Sequence, residues 1–130
     1  MVTLELLFEL NKQFIPISVL SNKPNEETII IIEKMFENIK FEIIMGATDE
    51  ISKKPNPSNA LFIAEKLKIN PDLFLYVGDT AVDMLTAKNA GMFGVGVSWG
   101  FRQREELEDN GAKIIIDKPE EILSIIREQK

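Results

Sequence analysis

Leu73-Phe74-Leu75-Tyr76-Val77-Gly78-Asp79-Thr80-Ala81-Val82-Asp83 decides how this chain is read. An apolar run leads to a glycine, then to two carboxylates four residues apart, then to residues that suit a helix. A continuous apolar run is what a strand buried on both faces requires. Carboxylates at the C-terminal end of such a strand lie where α/β proteins gather their ligands. They are also the oxygen donors that a hard cation such as Mg²⁺ takes. Taken alone, the stretch is equally a strand-to-helix turn, with Asp79 as a cap and Asp83 as a solvated helix residue.

Working outward, apolar runs alternate with helical patterns along the whole chain. Leu4, Leu7 and Phe8 place a helix over residues 2–12. Residues 16–20 form a short apolar run, followed by a turn at Ser21-Asn22-Lys23-Pro24. Pro24 suits the first turn of a helix extending to about Asn38. That helix holds the run Ile29 to Ile32, which by propensity alone fits a strand. A second strand is expected over 41–45, closed by Gly46, and a polar loop over 49–56. Pro57 opens a helix with Ala60, Ile63, Ala64 and Leu67 on one face. After the strand over 73–77 come a helix over 80–89, with Gly91 as its stop, and a strand over 93–97. A helix over 102–109, a strand over 113–116 and a helix over 119–127 complete the chain. The alternation predicts an α/β fold, a parallel sheet with helices on both faces. At 130 residues the chain is expected to be a single domain, residues 1–130.

Composition removes several chemistries. The chain has no cysteine and no histidine, which excludes thiolate metal sites, histidine general bases and Ser-His-Asp triads. Any chemistry rests on carboxylates, lysine, hydroxyls and backbone amides. A net charge of −6 argues against nucleic acid as a partner. No run is long and apolar enough for a membrane span, and the N-terminus has no signal-peptide pattern, so a cytoplasmic location is expected.

In a parallel sheet the strand C-termini share one edge. Three polar groups meet there: Ser21-Asn22-Lys23, then Lys53-Lys54-Pro55-Asn56-Pro57, then Asp79 with Asp83. A hydroxyl, an amine and two carboxylates at one edge suit a phosphate and a divalent cation. Each also has a plain reading. Ser21 fits a hydroxyl turn, Lys54 a solvated loop lysine, and Trp99 a packing residue.

In this order the groups resemble the motifs of haloacid dehalogenase superfamily hydrolases, in the phosphoglycolate phosphatase-like branch. Ser21-Asn22-Lys23-Pro24 resembles the second family motif, Lys54-Pro55-Asn56-Pro57 the third, and Gly78-Asp79-Thr80 through Asp83 the fourth. Ala87, Ala90 and Gly91 continue the last of these, and Ser98-Trp99-Gly100-Phe101-Arg102 resembles a stretch common in the branch. The resemblance implies a Rossmann-like core and magnesium-dependent hydrolysis of a small phosphate monoester through an aspartyl-phosphate. It implies that Ser21, with Asn22, binds the phosphoryl group and that Lys54 stabilises its charge. Asp79 is expected to bind Mg²⁺, and Asp83 to complete the metal site or orient Lys54.

The family's first motif, a strand ending in Asp-x-Asp, has no counterpart here. The first aspartate is Asp49, and no Asp-x-Asp occurs. The expectation is therefore an incomplete core domain, without the usual central strand and without a cap. The same pattern is expected of a truncated gene, a misassigned start or an expressed fragment. Little or no activity and weak Mg²⁺ binding are expected of the chain alone. The strands flanking the absent one are expected to pair directly, or to accept a segment from a second chain or a homodimer partner. The alternative is a non-catalytic remnant used for binding or oligomerisation.

Overall fold

Thr3 sets the first helix: its hydroxyl accepts the Leu6 N–H at 3.2 Å, and α1 runs Leu4–Lys12. The computed structural model describes residues 3–49, 53–99 and 103–128. The elements that follow are β1 (Ser18–Pro24), α2 (Asn25–Met35), β2 (Ile43–Ala47), α3 (Ser58–Leu67) and β3 (Leu75–Gly78). They continue with α4 (Ala81–Ala90), β4 (Phe93–Val97), α5 (Arg104–Asp109), β5 (Ile114–Ile116) and α6 (Glu121–Glu128). The alternation of strand and helix is as expected, and all the strand pairs are parallel. Among the described residues, no helix is long and apolar enough to cross a membrane.

Several boundaries differ from the sequence reading, each for a local reason. Ser21-Asn22-Lys23, expected as a turn, stays extended within β1, and the register shifts between Leu20 and Pro24. Pro24 sits at the N-cap of α2 and still pairs with Ala47. The isoleucine run is helical, as expected. Its first turn is tied down by Thr28, whose hydroxyl donates to the Pro24 carbonyl at 2.9 Å, and by Asn25, whose Oδ1 accepts the Gly46 N–H at 2.8 Å. The local Thr28 bond and the long-range Asn25–Gly46 bond together oppose the strand propensity of Ile29–Ile32. The helix stops at Met35 rather than Asn38, where Phe36 leaves it and meets Phe41 edge-on, ring centroids 6.1 Å apart. β2 accordingly starts at Ile43. A 3₁₀ turn over Pro71–Leu73 delays β3 to Leu75.

The strands do not form one sheet. β1 pairs with β2, and β3 pairs with β4 and β4 with β5, but no ladder joins β1 to β3. Between them lies a slot of about 970 Å³, lined by Ile17 to Leu20 of the β1 segment and Leu75 to Val77 of β3. The direct pairing weighed as one expectation is absent among the described residues.

Helices hold the two sheets together instead. On one face Leu6 and Leu10 of α1 pack with Ile122 and Ile125 of α6, Val95, Val97 and Ile116. Ile15 and Ile17, just before β1, and Leu75 and Val77 from the second sheet join this cluster. On the other face Ala60 and Ala64 of α3 meet Ala87 and Ala90 of α4, with Leu20, Phe74 and Tyr76 against them. The second cluster draws on both sheets and the first joins the second sheet to the segment leading into β1, so apolar packing supplies what strand hydrogen bonds do not. Trp99 packs against the first cluster, as its plain reading expected.

Gly46 is required by close approach. A Cβ there would sit 2.5 Å from both the Lys23 carbonyl oxygen and Thr28 Oγ1. Gly46→Ala is expected to destabilise the chain by about 1–3 kcal/mol, the usual cost of overpacking, read as a lower midpoint in urea unfolding at unchanged slope.

Candidate active site

The site is built on Gly78. A Cβ at this position would lie 2.6 Å from Cγ and Oδ2 of Asp83, so only glycine lets the Asp83 side chain fold back over the end of β3. Thr80 caps α4, and its Oγ1 accepts the Asp83 N–H at 3.1 Å. The same hydroxyl donates to Asp83 Oδ2 at 3.0 Å, and the Asp79 N–H reaches that oxygen at 3.3 Å. Asp83 is thus buried and held from its own turn, not solvated on a helix.

Its other oxygen takes the charge partner. Lys54 Nζ donates to Asp83 Oδ1 at 2.7 Å, with side-chain exposures of only 15% and 10%. Lys54 is positioned by its backbone. Asn22 Oδ1 accepts the Lys54 N–H at 2.8 Å, and Asn22 Nδ2 donates to the Lys54 carbonyl at 3.4 Å. One residue further, Asn89 Nδ2 donates to the Pro55 carbonyl at 3.1 Å, across a Lys54–Pro55 bond that is cis. Lys54 is therefore not a free loop lysine. Ser21 Oγ accepts the Lys23 N–H at 3.1 Å, the hydroxyl turn weighed from sequence.

All five residues singled out from sequence, Ser21, Asn22, Lys54, Asp79 and Asp83, line the slot together with Lys23 and Thr80. The arrangement distinguishes the two carboxylates. Both oxygens of Asp83 are engaged by Lys54, Thr80 and backbone, which fits orientation of Lys54 rather than a direct metal bond. Asp79 is half-buried at the slot wall. Among the described residues no cluster of three carboxylates stands ready for a cation. Mg²⁺ needs near-octahedral oxygen coordination. These residues offer it one carboxylate, Asp79, and do not form a complete site by themselves.

Two further residues frame the site. Tyr76 has its phenol pushed well above the ordinary value, first by burial and then by the Asp83 charge, and its buried hydroxyl has no hydrogen-bond partner among the described residues. It stays protonated at physiological pH and cannot serve as a base there. Glu106 of α5 caps the site's helix, its Oε2 accepting the Ala81 N–H at 3.0 Å. Sequence reasoning did not assign a role to Thr80, although the Thr-x-x-Asp spacing is a capping signature that flags it. Asn89 and Glu106 carried no such signal, because their partners lie 34 and 25 residues away.

Comparison with known proteins fits this geometry. Residues 2–97 match the model of the haloacid dehalogenase-like hydrolase family. Phosphoglycolate phosphatase of Pectobacterium atrosepticum is 30% identical over 122 residues, covering 94% of this chain and 52% of that protein. The Escherichia coli K12 phosphoglycolate phosphatase is 29% identical over 109 residues, covering 84% and 43%. Among crystal structures, a protein of Lactobacillus delbrueckii subsp. bulgaricus, described provisionally as a phosphoglycolate phosphatase, superposes with TM-score 0.86. It is 32% identical, over 95% of this chain and 51% of that one. A predicted phosphatase from Clostridium acetobutylicum gives TM-score 0.84 at 26% identity, over 95% and 57%. The chain spans about half the length of the curated relatives it matches. It belongs to the haloacid dehalogenase-like hydrolase family, and its α/β architecture is that family's Rossmann-like core.

Removing one partner of a buried ion pair strands the other charge, at a cost of about 3–5 kcal/mol. Lys54→Met is expected to lose stability in that range by chemical denaturation. The double variant Lys54→Met with Asp83→Asn is expected to recover most of it, since no unpaired charge remains.

Proposed function

We propose that this chain supplies the phosphate-binding and charge-stabilising part of a phosphatase acting on a small phosphate monoester of the phosphoglycolate kind. The observation that carries the reading is the buried Lys54–Asp83 pair, clamped by Asn22 at the strand ends beside Ser21. A lysine fixed in this way presents a positive charge without reorganisation, which is how such sites stabilise a transferring phosphoryl group. Ser21 Oγ and the backbone after it would donate to the phosphoryl oxygens. Asn22, placed with Ser21 as a phosphate binder from sequence, acts on this reading chiefly by positioning Lys54, because its amide is engaged with the Lys54 backbone. Asp83 orients Lys54, and Asp79 would be this chain's ligand to Mg²⁺, which supplies charge neutralisation when bound. The names of the relatives support the substrate class, and a cytoplasmic location accords with small-metabolite chemistry.

The reaction proposed is attack of a carboxylate on phosphorus with departure of the ester oxygen, then attack of water on the acyl phosphate. No residue of this chain is assigned the attacking role. No aspartate precedes Asp49, and Asp83 is committed to Lys54. On this reading residues 1–130 alone are inactive, and the attacking carboxylate comes from outside them. The open slot beside the site also favours a second reading, in which the chain is a binding module derived from such a phosphatase.

Purified residues 1–130 with Mg²⁺ are expected to hydrolyse p-nitrophenyl phosphate no faster than buffer, and robust magnesium-dependent turnover would overturn the reading. In a chain extended by a nucleophile-bearing segment, Lys54→Met is expected to lower kcat/KM by about 10²–10³-fold, as for loss of one preorganised charge-stabilising donor. An extended chain that stays inactive, or one indifferent to Lys54, would favour the binding module.

A further inference from the structure

We propose that Lys23 is a specificity-determining residue of this site, its ammonium taking a second anionic group of the substrate, a carboxylate carried close to the phosphate. The inference rests on the phosphate-binding reading of Ser21 and Lys54. Lys23 stands among the polar groups at the strand ends, yet neither the sequence pattern nor the proposed chemistry gives it a task. Among the described residues, four charged side chains line the slot: Lys23, Lys54, Asp79 and Asp83. Three are accounted for. Lys54 and Asp83 answer each other at 2.7 Å, and Asp79 is the proposed cation ligand. Lys23 is left over. It makes no ion pair among the described residues, although the chain carries a net charge of −6. Glu26 and Glu27 are exposed in the first turn of α2 and do not bridge to it.

The backbone of Lys23 is fixed, while the residue itself is exposed. Ser21 Oγ accepts the Lys23 N–H at 3.1 Å, and the Lys23 carbonyl accepts the Thr28 hydroxyl at 3.3 Å. Gly46 packs so closely that a Cβ there would lie 2.5 Å from that carbonyl oxygen. An ammonium on a fixed backbone needs only its own rotamers ordered when an anion binds. The bond to Ser21 also ties Lys23 to the hydroxyl read as a phosphoryl donor. The charges are laid out across the slot: Lys23 belongs to β1, and Asp79 follows β3 on the opposite wall. A substrate whose phosphoryl group meets Ser21 and Lys54 therefore gains by turning an anionic tail toward β1, away from Asp79. One ammonium matches a carboxylate, a single charge, rather than a second phosphoryl group that carries nearly two. Because Lys23 is exposed, the contact sorts substrates by a few fold and weakens with salt.

The test is ligand binding to ¹⁵N-labelled residues 1–130 with Mg²⁺ at low salt, followed through the amide shifts of Ser21, Asn22 and Lys54. Two ligands are compared: phosphoglycolate, and hydroxyethyl phosphate, in which a neutral hydroxymethyl group replaces the carboxylate. Phosphoglycolate is expected to bind about three- to fivefold more tightly, a preference that fades at high salt. Lys23→Gln is expected to bring the ratio close to one, and Lys23→Arg, which keeps the charge, to preserve it. Comparing the two ligands within each variant separates this role from any change in fold. Equal binding of both ligands by the parent chain, or a preference that survives Lys23→Gln, would overturn the proposal. Shifts at Ser21 and Lys54 without that preference leave the phosphate-binding reading standing, whereas no shift with either ligand overturns both.

Discussion

The whole arrangement depends on two strand edges held apart. β1 and β3 run to the same end of the molecule and border one slot, yet among the described residues no hydrogen-bond ladder crosses it. Parallel sheets are normally continuous beneath their helices, because the backbone groups of a central strand have nowhere else to go. Here the continuity is carried by side chains. α1 with α6 packs the second sheet against Ile15 and Ile17, just before β1, and α3 with α4 packs Leu20 of the first sheet with Tyr76 of the second. Apolar packing is non-directional, so it sets the spacing of the halves without fixing a register between them. The cost shows at the margin of the slot. Ile31, Met35 and Leu73 line it and remain exposed, an apolar rim that a filled slot would partly cover.

Directional bonds cross the gap at the site end. Asn22, in β1, holds the backbone of Lys54; Lys54 reaches Asp83, at the start of α4 behind β3. This relay joins the first sheet to the second through the groups the chemistry would use. A buried ion pair contributes little net stability against an apolar replacement, but it specifies geometry when every lone pair is answered. Asp83 meets that condition, with Lys54 on one oxygen and Thr80 and the Asp79 N–H on the other. The site is therefore both the electrostatic centre and the clasp that fixes how the halves meet.

Much of this was legible in the sequence because it is local. The alternation of apolar runs with helical patterns gave the fold class, and the order of Ser21, Lys54, Asp79 and Asp83 gave the family. What the sequence did not yield lies in long-range contacts. The helical state of Ile29–Ile32 was expected from the start signal at Pro24, but the bond from Asn25 to Gly46, 21 residues away, was not visible in the sequence. The end of α2 depends on Phe36 meeting Phe41, and the start of β3 on a 3₁₀ turn at Pro71 that periodicity does not resolve. The role of Asn22 was likewise hidden. Its neighbour Ser21 makes the local turn that sequence anticipates, whereas Asn22 is satisfied by a backbone 32 residues further along.

The two carboxylates that first marked the chain are not equivalent, and the difference follows from one glycine. Because Gly78 lacks a Cβ, Asp83 folds back onto the strand end and becomes an internal counter-ion for Lys54. Asp79, one residue past that glycine, lies at the slot wall, beside the gap left by the unpaired strand edges. Asp83 is thereby answered inside the chain, by Lys54 on one oxygen and by Thr80 and the Asp79 N–H on the other, while the Asp79 carboxylate stays at the slot wall, so two acids four residues apart enter different surroundings.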